Sequence, residues 1–282
     1  MIIAKMIKDS ISEEGVRLST MLLTYPRYIH SEFMTHRVFS RNASSSRAIP
    51  VEKLLHWIAV NPAIPIHWGE NQKGMQASKE VSGWRLMLLK FLWNSHRRFS
   101  LLTARWMAKL GGHKQLVNRI IENHGHINVL VTSTQWENFL FLRDSKMAMP
   151  EIETLAQEIR LQLANSSPQL LCVGEWHLPY IMIEEKAQYP DEQLRMISAA
   201  RCARTSYLTH EGKVPHAVID LELAKKLIGP KHMSPFEHQA TPDVIDKKSR
   251  KSIKPWKNPS AHGNFCGWIQ HRKTIPGESV PG

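Results

Sequence analysis

THRVFSRNASSSR, residues Thr35–Arg47, carries ten hydrogen-bonding side chains in thirteen positions. They are one imidazole, three guanidinium groups, five hydroxyls and one amide. Arginine is always charged and its planar fork matches phosphate oxygens two at a time, so this segment suits an oxyanion or a phosphate. It contains no glycine and is therefore not a Walker loop. From these residues alone, a polar surface loop and an anion-binding loop both remain open.

The flanking sequence predicts a strand before this loop and helices after it. Residues Gly15–Tyr25 combine polar–apolar alternation with a short apolar run, bounded by Glu-Glu-Gly and Pro26, which is typical of a buried strand. A short helix is expected over 52–60, and Asn61–Gly74 is rich enough in Pro, Gly and Asn to be a long connection.

The middle of the chain predicts a helical layer. Between Ala77 and Leu110 apolar residues recur at threes and fours, which indicates a helix with core-facing aromatics, a break near Asn94–Ser95 and a stop at Gly111–Gly112. We therefore expect an α/β (α+β) fold with a mixed sheet and a helical layer. Further helices are expected over 114–123, 133–142, 150–164, 193–202 and 217–227.

Composition limits the class of protein. The 282 residues, 42% hydrophobic and 22% charged, are typical of a globular protein rather than a disordered one. Three widely spaced cysteines predict neither a disulfide framework nor structural zinc, and we expect no metal site. Because no long apolar run and no secretory signal pattern occur, we expect a cytoplasmic protein that does not engage a membrane.

The chain is strongly basic. It carries 37 Lys and Arg against 25 Asp and Glu, a net charge of +12. An excess of this size attracts polyanions or small anionic ligands, with solubility as the plain alternative.

A change of character near 183–193 predicts two units, 1–190 and 191–282. The second unit contains SPFEH at 234–238, a basic segment from Lys247 to Lys257, and QHRKTIPGES. Phe33–Arg37 and Trp268–Arg272 share the order aromatic, aliphatic, polar, His, Arg, which is a candidate internal repeat.

The order THRVFSRNASSSR resembles the signature of the flavin-dependent thymidylate synthases. Two positions depart from it, because Thr35 stands where the family has its first Arg and Ala43 where it has a Glu. The residues in register with the signature are His36, Arg37, Ser40, Asn42, Ser45 and Arg47.

The resemblance continues downstream. In TQWENFLFLRDSKMAMPEI, Asn138 matches a flavin-contacting Asn and Arg143 matches the arginine that activates the pyrimidine in the family. Phe141 and Met147 replace an Asn and a His, and NRIIEN places Arg119 at another nucleotide-binding position.

The second unit resembles family segments in a rearranged order. AARCARTSY and HMSPFEH look like segments that precede the signature in the family, with Arg204, Ser206, Ser234 and Glu237 in matching places. QHRKTIPGES looks like a second, partial signature with His271, Arg272 and Glu278. The resemblance therefore implies a thymidylate synthase-like fold that is duplicated or permuted.

The resemblance implies an activity and its partners. Family members methylate deoxyuridylate at C5, with methylene-tetrahydrofolate as carbon donor, reduced FAD as hydride source and NADPH as reductant, in sites between subunits. We therefore expect a homo-oligomer, a tetramer or a dimer. Arg143 would be catalytic, and Arg47, Ser45, Ser46 and Arg119 would bind the nucleotide. The residues expected around the flavin are His36, Arg37, Asn42, Asn138, Ser234, Glu278, His271 and Arg272.

Two alternatives stay open. The same chemistry could act on a pyrimidine within DNA or RNA, which the net charge and the basic segment at 247–257 would suit. Alternatively, the chain could be a non-catalytic relative that only binds nucleotide or nucleic acid.

Overall fold

A computed structural model describes residues 1–205, 216–246 and 256–279. Its centre is a five-stranded sheet in the order β3–β4–β2–β1–β5. β5 runs parallel to β1, and the other neighbouring strands are antiparallel, so the sheet is mixed as predicted. The strands are β1 (Ile3–Ser12), β2 (Arg17–Pro26), β3 (Ser40–Ala43), β4 (His126–Ser133) and β5 (Gln169–Leu171).

The strand predicted over Gly15–Tyr25 is confirmed as β2. The donor-rich segment is not entirely a loop, because its centre forms the edge strand β3 against β4. Ser40 pairs with Thr132 in this register, and successive side chains of β3 point to opposite faces of the sheet. One short strand can therefore supply donors to both sides of the sheet.

Nine α-helices lie in the described parts of the chain. The predictions for residues 52–60, 150–164, 193–202 and 217–227 are confirmed, and Pro150 begins its helix as expected. The prediction for 114–123 is only partly right, because a short helix there gives way to 3₁₀ turns. The helices are α1 (His30–Phe33), α2 (Val51–Val60), α3 (Gly83–Lys109), α4 (Lys114–Val117), α5 (Glu137–Arg143), α6 (Pro150–Asn165), α7 (Ile183–Gln188), α8 (Asp191–Ala203) and α9 (Ala217–Ile228).

α3 differs from its prediction in two respects. It is continuous, and Asn94 is accommodated because its Nδ2 donates to the carbonyl of Lys90, one turn back, at 2.9 Å. Its aromatic side chains are not core, since Trp84, Phe91, Phe99 and Trp106 are between 58% and 68% exposed. Periodicity identifies an apolar stripe on a helix but not whether other residues cover that stripe. In α3 the aromatic stripe is exposed, and the rest of this chain covers another side of the helix.

The main core lies between the sheet and the helices of one layer. Alternate residues of β2 and β4 point into it and meet α1, α5 and α6. Its members include Met21, Leu23, Tyr25, Phe33, Phe39, Ile127, Val129, Val131, Phe139, Ile152, Leu155 and Ile159. This packing holds the ends of α1 and α5 beside each other.

The second unit covers the opposite face of the sheet. A small sheet of β6 (Ala240–Pro242) and β7 (Trp268–Gln270) packs there, and the carbonyl of Cys202 on α8 accepts a hydrogen bond from Asn42 of β3. Gln270 Nε2 donates to Ser40 Oγ at 3.2 Å, and Thr132 Oγ1 bonds to His238 Nδ1 at 2.8 Å. Residues 183–193, predicted as a boundary, carry α7 and the start of α8. The second unit therefore packs directly on the first.

A buried ion-pair group joins the two predicted units. Arg201, only 1% exposed, binds Glu185 of α7 and Asp220 of α9, and its Nη1 donates to the carbonyl of Tyr180 at 2.7 Å. Arg204, predicted to match a family position, pairs with the same Asp220. One guanidinium group thus joins α7, α8 and α9.

The two copies of the candidate repeat have different local structures. Phe33–Arg37 covers the end of α1 and the following turn, whereas Trp268 begins strand β7. The predicted position of Ser206 and residues 247–255 of the basic segment lie outside the described residues. Among the described helices, none is both long and apolar enough to cross a bilayer.

Candidate functional site

Arg143 and His36 are in contact, although they come from distant segments. Arg143 ends α5, and its Nε donates to His36 Nε2 at 3.0 Å. Its Nη1 binds the carboxylate of Glu32 on α1. Its Nη2 has no hydrogen bond to any residue that the structure describes. One N–H edge of the guanidinium group is therefore held in place and available to an external acceptor.

His36 is buried in its neutral form. Its ring lies edge-to-face on Phe139, with the centroids 4.9 Å apart. Burial, together with the charges of Arg143 and Arg41, lowers the pKa of His36 below its usual value. Because Nε2 accepts the bond from Arg143, the ring proton belongs on Nδ1. Arg41 supports the turn from the other side by donating to the carbonyls of Met34 and His36.

Asn42 joins β3 to the second unit. Its Nδ2 donates to the carbonyl of Cys202 at 2.6 Å, and its Oδ1 accepts from Ser234 Oγ at 3.2 Å. The sequence resemblance assigns both Asn42 and Ser234 to flavin binding, and the fold brings them together across 192 positions.

Glu122 is the centre of a group at the other end of β3. Arg119 Nη1 lies 3.1 and 3.2 Å from its two carboxylate oxygens, and Arg27 Nε lies 3.0 Å away. Ser46 Oγ donates to the same carboxylate. Two of the predicted nucleotide-binding residues, Ser46 and Arg119, thus share one partner.

The remaining predicted nucleotide residues flank this group. Arg47 is exposed and makes no hydrogen bond or ion pair within the described parts of the chain. Ser45 is half-buried beside it. Arg119 is itself about half exposed, so cationic groups face solvent where β3 leads into α2.

Arg37 and Asn138 have side chains that a bound cofactor could use. Both are exposed, and neither makes a hydrogen bond or ion pair to a described residue. Free guanidinium and amide donors fit the phosphate and ring acceptors of FAD. Arg37 follows His36 in the chain, and Asn138 precedes Phe139, whose ring contacts His36. These donors fit the chemistry of FAD.

The second partial signature forms a separate group. Arg272 binds Glu278 at 2.6 Å and Glu237 at 2.5 Å, and Lys273 also binds Glu278. Arg272 lines a polar cleft of about 360 Å³ with Glu237 and Gln270. A flavin bound at Arg272, as the resemblance predicts, would compete with these two carboxylates for the guanidinium group.

His271 belongs to the core rather than to an open site. Only 4% of it is exposed, and its ring lies 5.8 Å from those of Trp176 and Phe236. Burial, together with the charge of Arg195, lowers the pKa of His271 to about 3. The structure thus leaves this predicted cofactor residue without a surface for a ligand.

The three arginines that were predicted to surround the nucleotide, Arg47, Arg119 and Arg143, do not share a partner within one chain. Arg143 binds Glu32 before β3, whereas Arg119 binds Glu122 after it and Arg47 faces solvent. None of the cavities of about 180, 360 and 510 Å³ is lined by any of the three. The predicted convergence around one pyrimidine is therefore not achieved by these side chains in a single chain.

Glu32 and Glu122 were absent from the sequence predictions. Glu122 could have been found, because it lies three residues after Arg119 on a helical turn. Glu32 had no such signal, since its contact with Arg143 spans 111 positions.

Comparison with known proteins finds a likeness to solved structures. Neither a protein-family model nor a curated protein matches this chain. The UMP/dUMP methylase PolB from Streptomyces cacaoi, bound with 5-Br dUMP, is similar at 12% identity and a TM-score of 0.48, over 58% of this chain and 90% of that one. The same methylase bound with 5-Br UMP gives 14% identity and a TM-score of 0.46, over 58% and 89%.

A third similar structure is the flavin-dependent thymidylate synthase ThyX from Helicobacter pylori, complexed with FAD and dUMP. It shares 19% identity with this chain at a TM-score of 0.35, and the match covers 52% of this chain and 67% of that one.

Proposed function

We propose that this chain is a flavin-dependent thymidylate synthase-like methyltransferase. It would transfer a one-carbon unit from methylene-tetrahydrofolate to C5 of deoxyuridylate. The observation that carries the proposal is the 3.0 Å contact between Arg143 and His36. The sequence resemblance assigned both residues to one site, and the fold brings them into contact although they are 107 positions apart in the sequence.

The chemical task of Arg143 follows from its surroundings. The uracil ring gains negative charge as C5 becomes nucleophilic, and a fixed N–H donor stabilises that charge without reorganising. His36 and Glu32 hold Nε and Nη1, so Nη2 is the edge that faces an acceptor oxygen. His36 and Glu32 are therefore positioning residues for Arg143.

The group around Glu122 suits the nucleotide phosphate. Arg47 and Arg119 supply charge-assisted donors near the hydroxyls of Ser45 and Ser46. A phosphate there would share Arg119 with Glu122. Because Arg143 lies at the other end of β3, we propose that the complete site forms between copies of the chain.

Bound FAD, when reduced, would supply the hydride that completes the methyl group. Arg37, Asn138 and His36 are the residues of this chain that would hold it, with Asn42 and Ser234 keeping β3 and the second unit together. The remaining work of the protein is to align nucleotide and folate and to exclude water.

Two measurements on the purified full-length protein test the proposal. The first is the visible absorption spectrum after incubation with FAD and desalting, in which we expect retained flavin. The second is tritium release from [5-³H]deoxyuridylate with methylene-tetrahydrofolate and NADPH, in which we expect release that depends on both.

The same assay with uracil-containing DNA and RNA identifies the substrate. Release from deoxyuridylate supports the proposal, and release from a polymer alone would replace it with a nucleic-acid-modifying enzyme. Absence of both flavin and release would contradict the proposal and favour the non-catalytic alternative.

A further inference from the structure

The exposed side of α3 carries a symmetric order of side chains. Counting outward from Ser95, phenylalanine stands four residues away on each side, leucine seven and tryptophan eleven. The resulting stripe is Trp84, Leu88, Phe91, Ser95, Phe99, Leu102 and Trp106.

These seven residues lie on one side of the helix. At about 100° per residue they fall within an arc of about 80°. The six large side chains are between 45% and 68% exposed, so the rest of this chain does not cover them. A soluble protein rarely leaves an apolar stripe of this length open to water.

We propose that α3 pairs with α3 of a second copy of this chain, antiparallel, about a twofold axis through Ser95. An axis of this kind places the same patch on both copies, so each residue meets its counterpart at equal distance from the centre. Trp84 would face the partner's Trp106, and Leu88 the partner's Leu102. The small Ser95 side chain lets the two helices approach closely where they cross.

The available area fits a stable dimer. The six large apolar side chains of the stripe are between 45% and 68% exposed. At roughly 120 Å² each, they present on the order of 700 Å² per copy, which is close to the roughly 800 Å² per partner of a standard interface.

Opposite charges favour the antiparallel arrangement at the ends of the stripe. α3 carries six Arg and Lys residues and no Asp or Glu, so acidic residues from another segment must offset the repulsion between two copies of the helix. Glu70 and Glu80 line a cleft of about 510 Å³ together with Trp84 and Leu88. The partner's Trp106 and Arg105 would arrive at this end, where these carboxylates lie.

Other occupants explain less of the pattern. A basic amphipathic helix can also lie on an anionic membrane, and its basic residues alone could attract nucleic acid. Neither surface requires like residues at equal distances from a midpoint. The proposal uses no step of the nucleotide chemistry, and its cross-links can form whether or not the protein releases tritium from deoxyuridylate.

Cysteine cross-linking of the full chain tests the register. Helix axes roughly 8–10 Å apart, with Cα atoms about 2.3 Å from each axis, bring facing Cα atoms to about 3.5–5.5 Å, a range that overlaps the Cα–Cα distances of disulfides. In a Cys172→Ser background, which removes the exposed native thiol, Ser95→Cys should form a covalent dimer on mild oxidation. Chains carrying Leu88→Cys should cross-link to chains carrying Leu102→Cys, but not to themselves.

The contrary results are equally clear. Self-linking of Leu88→Cys chains as fast as the mixture would indicate a parallel pair, and failure of both tests would overturn the proposal. A wild-type protein that sediments as a monomer at micromolar concentration would also overturn the proposal, whether or not it binds phosphatidylserine vesicles or DNA.

A charge on the stripe provides a second readout. Because the interface is symmetric, Phe91→Glu places two carboxylates in it, one from each copy, and should weaken dimerisation by about 100-fold or more. Lys90→Glu, on the opposite side of α3, is the matched control and should leave dimerisation within a few fold. Far-UV circular dichroism should show both variants folded, and equal dimerisation of the two would contradict the proposal.

Discussion

The Nε of Arg143 lies 3.0 Å from Nε2 of His36, and the two residues are 107 positions apart. Each restrains the other: the imidazole fixes the plane of the guanidinium group, and the guanidinium charge helps to keep the imidazole neutral. The remaining N–H edge of Arg143 is the group whose removal should affect chemistry most.

Replacing Arg143 by Ala should therefore lower kcat for tritium release from deoxyuridylate. Loss of one donor that stabilises developing charge typically costs about 10²–10³-fold in rate. Arg160→Ala is the matched control, because Arg160 is an exposed arginine that pairs with Asp144 on the helical layer. Full turnover by Arg143→Ala, or an equal loss in both variants, would disprove the assigned role.

Replacing Arg47 by Ala should raise KM for deoxyuridylate and leave kcat within about threefold. A hydrogen bond to a charged group contributes about 1.5–3 kcal/mol, which corresponds to a roughly 10- to 150-fold change in KM. Steady-state kinetics at a fixed folate concentration measures the split. If kcat falls while KM is unchanged, Arg47 does not act through phosphate binding.

Stability should fall as the pH drops below about 6.5. Burial lowers the pKa of His238 to about 3, and burial with the charge of Arg195 lowers that of His271 to about 3. Both groups are thus neutral in the folded protein but take up protons in the unfolded chain, whose ordinary pKa is about 6.5. Their contribution is complete above pH 6.5 and declines below it.

Urea unfolding at pH 7.5 and 5.5 measures this effect. Each of these two histidines should cost about 1.4 kcal/mol at one pH unit below 6.5, and the other histidines whose pKa burial lowers, among them His124, His126 and His177, add to the loss. His238→Asn should therefore reduce the difference between the two pH values by about 1.4 kcal/mol, whereas His56→Asn, at an exposed position on α2, should not change it. Equal stability at both pH values would show that these rings are accessible to protons when folded.

Replacing Arg201 by Met should destabilise the fold by about 3–5 kcal/mol, because it leaves buried carboxylates of Glu185 and Asp220 without a counter-charge. Urea unfolding of Arg160→Ala gives the reference for an exposed pair, which should cost less than about 1 kcal/mol. A loss as small as that of the reference would mean that the three helices do not depend on Arg201.

Local signals in the sequence were sufficient for much of the secondary structure. The apolar stretch before Pro26, the proline that begins α6 and the glycine pair after α3 each act on neighbouring residues, and each prediction was confirmed. Gly111 has a φ of +84°, which is why a glycine ends α3 there. The strand inside the donor-rich segment was missed because β3 exists only through its pairing with β4.

The candidate site was predictable only as a set of residues. The resemblance named His36, Arg143, Asn42 and Ser234, but their contacts depend on how α5 and the second unit pack on opposite faces of the sheet. The carboxylate partner of Arg143, Glu32, depends on the same packing. His271 shares its sequence context with His36, yet its ring is enclosed by Trp176 and Phe236.

The amino-acid order alone thus determined which segments are apolar, where most helices begin and end, and which residues resemble a known signature, because these properties act over a few neighbouring positions. Tertiary structure alone decided that the guanidinium group of Arg143 meets Glu32, which histidines are neutral and which side of α3 stays in water. Those outcomes depend on a contact across 111 positions and on burial, which no local pattern specifies.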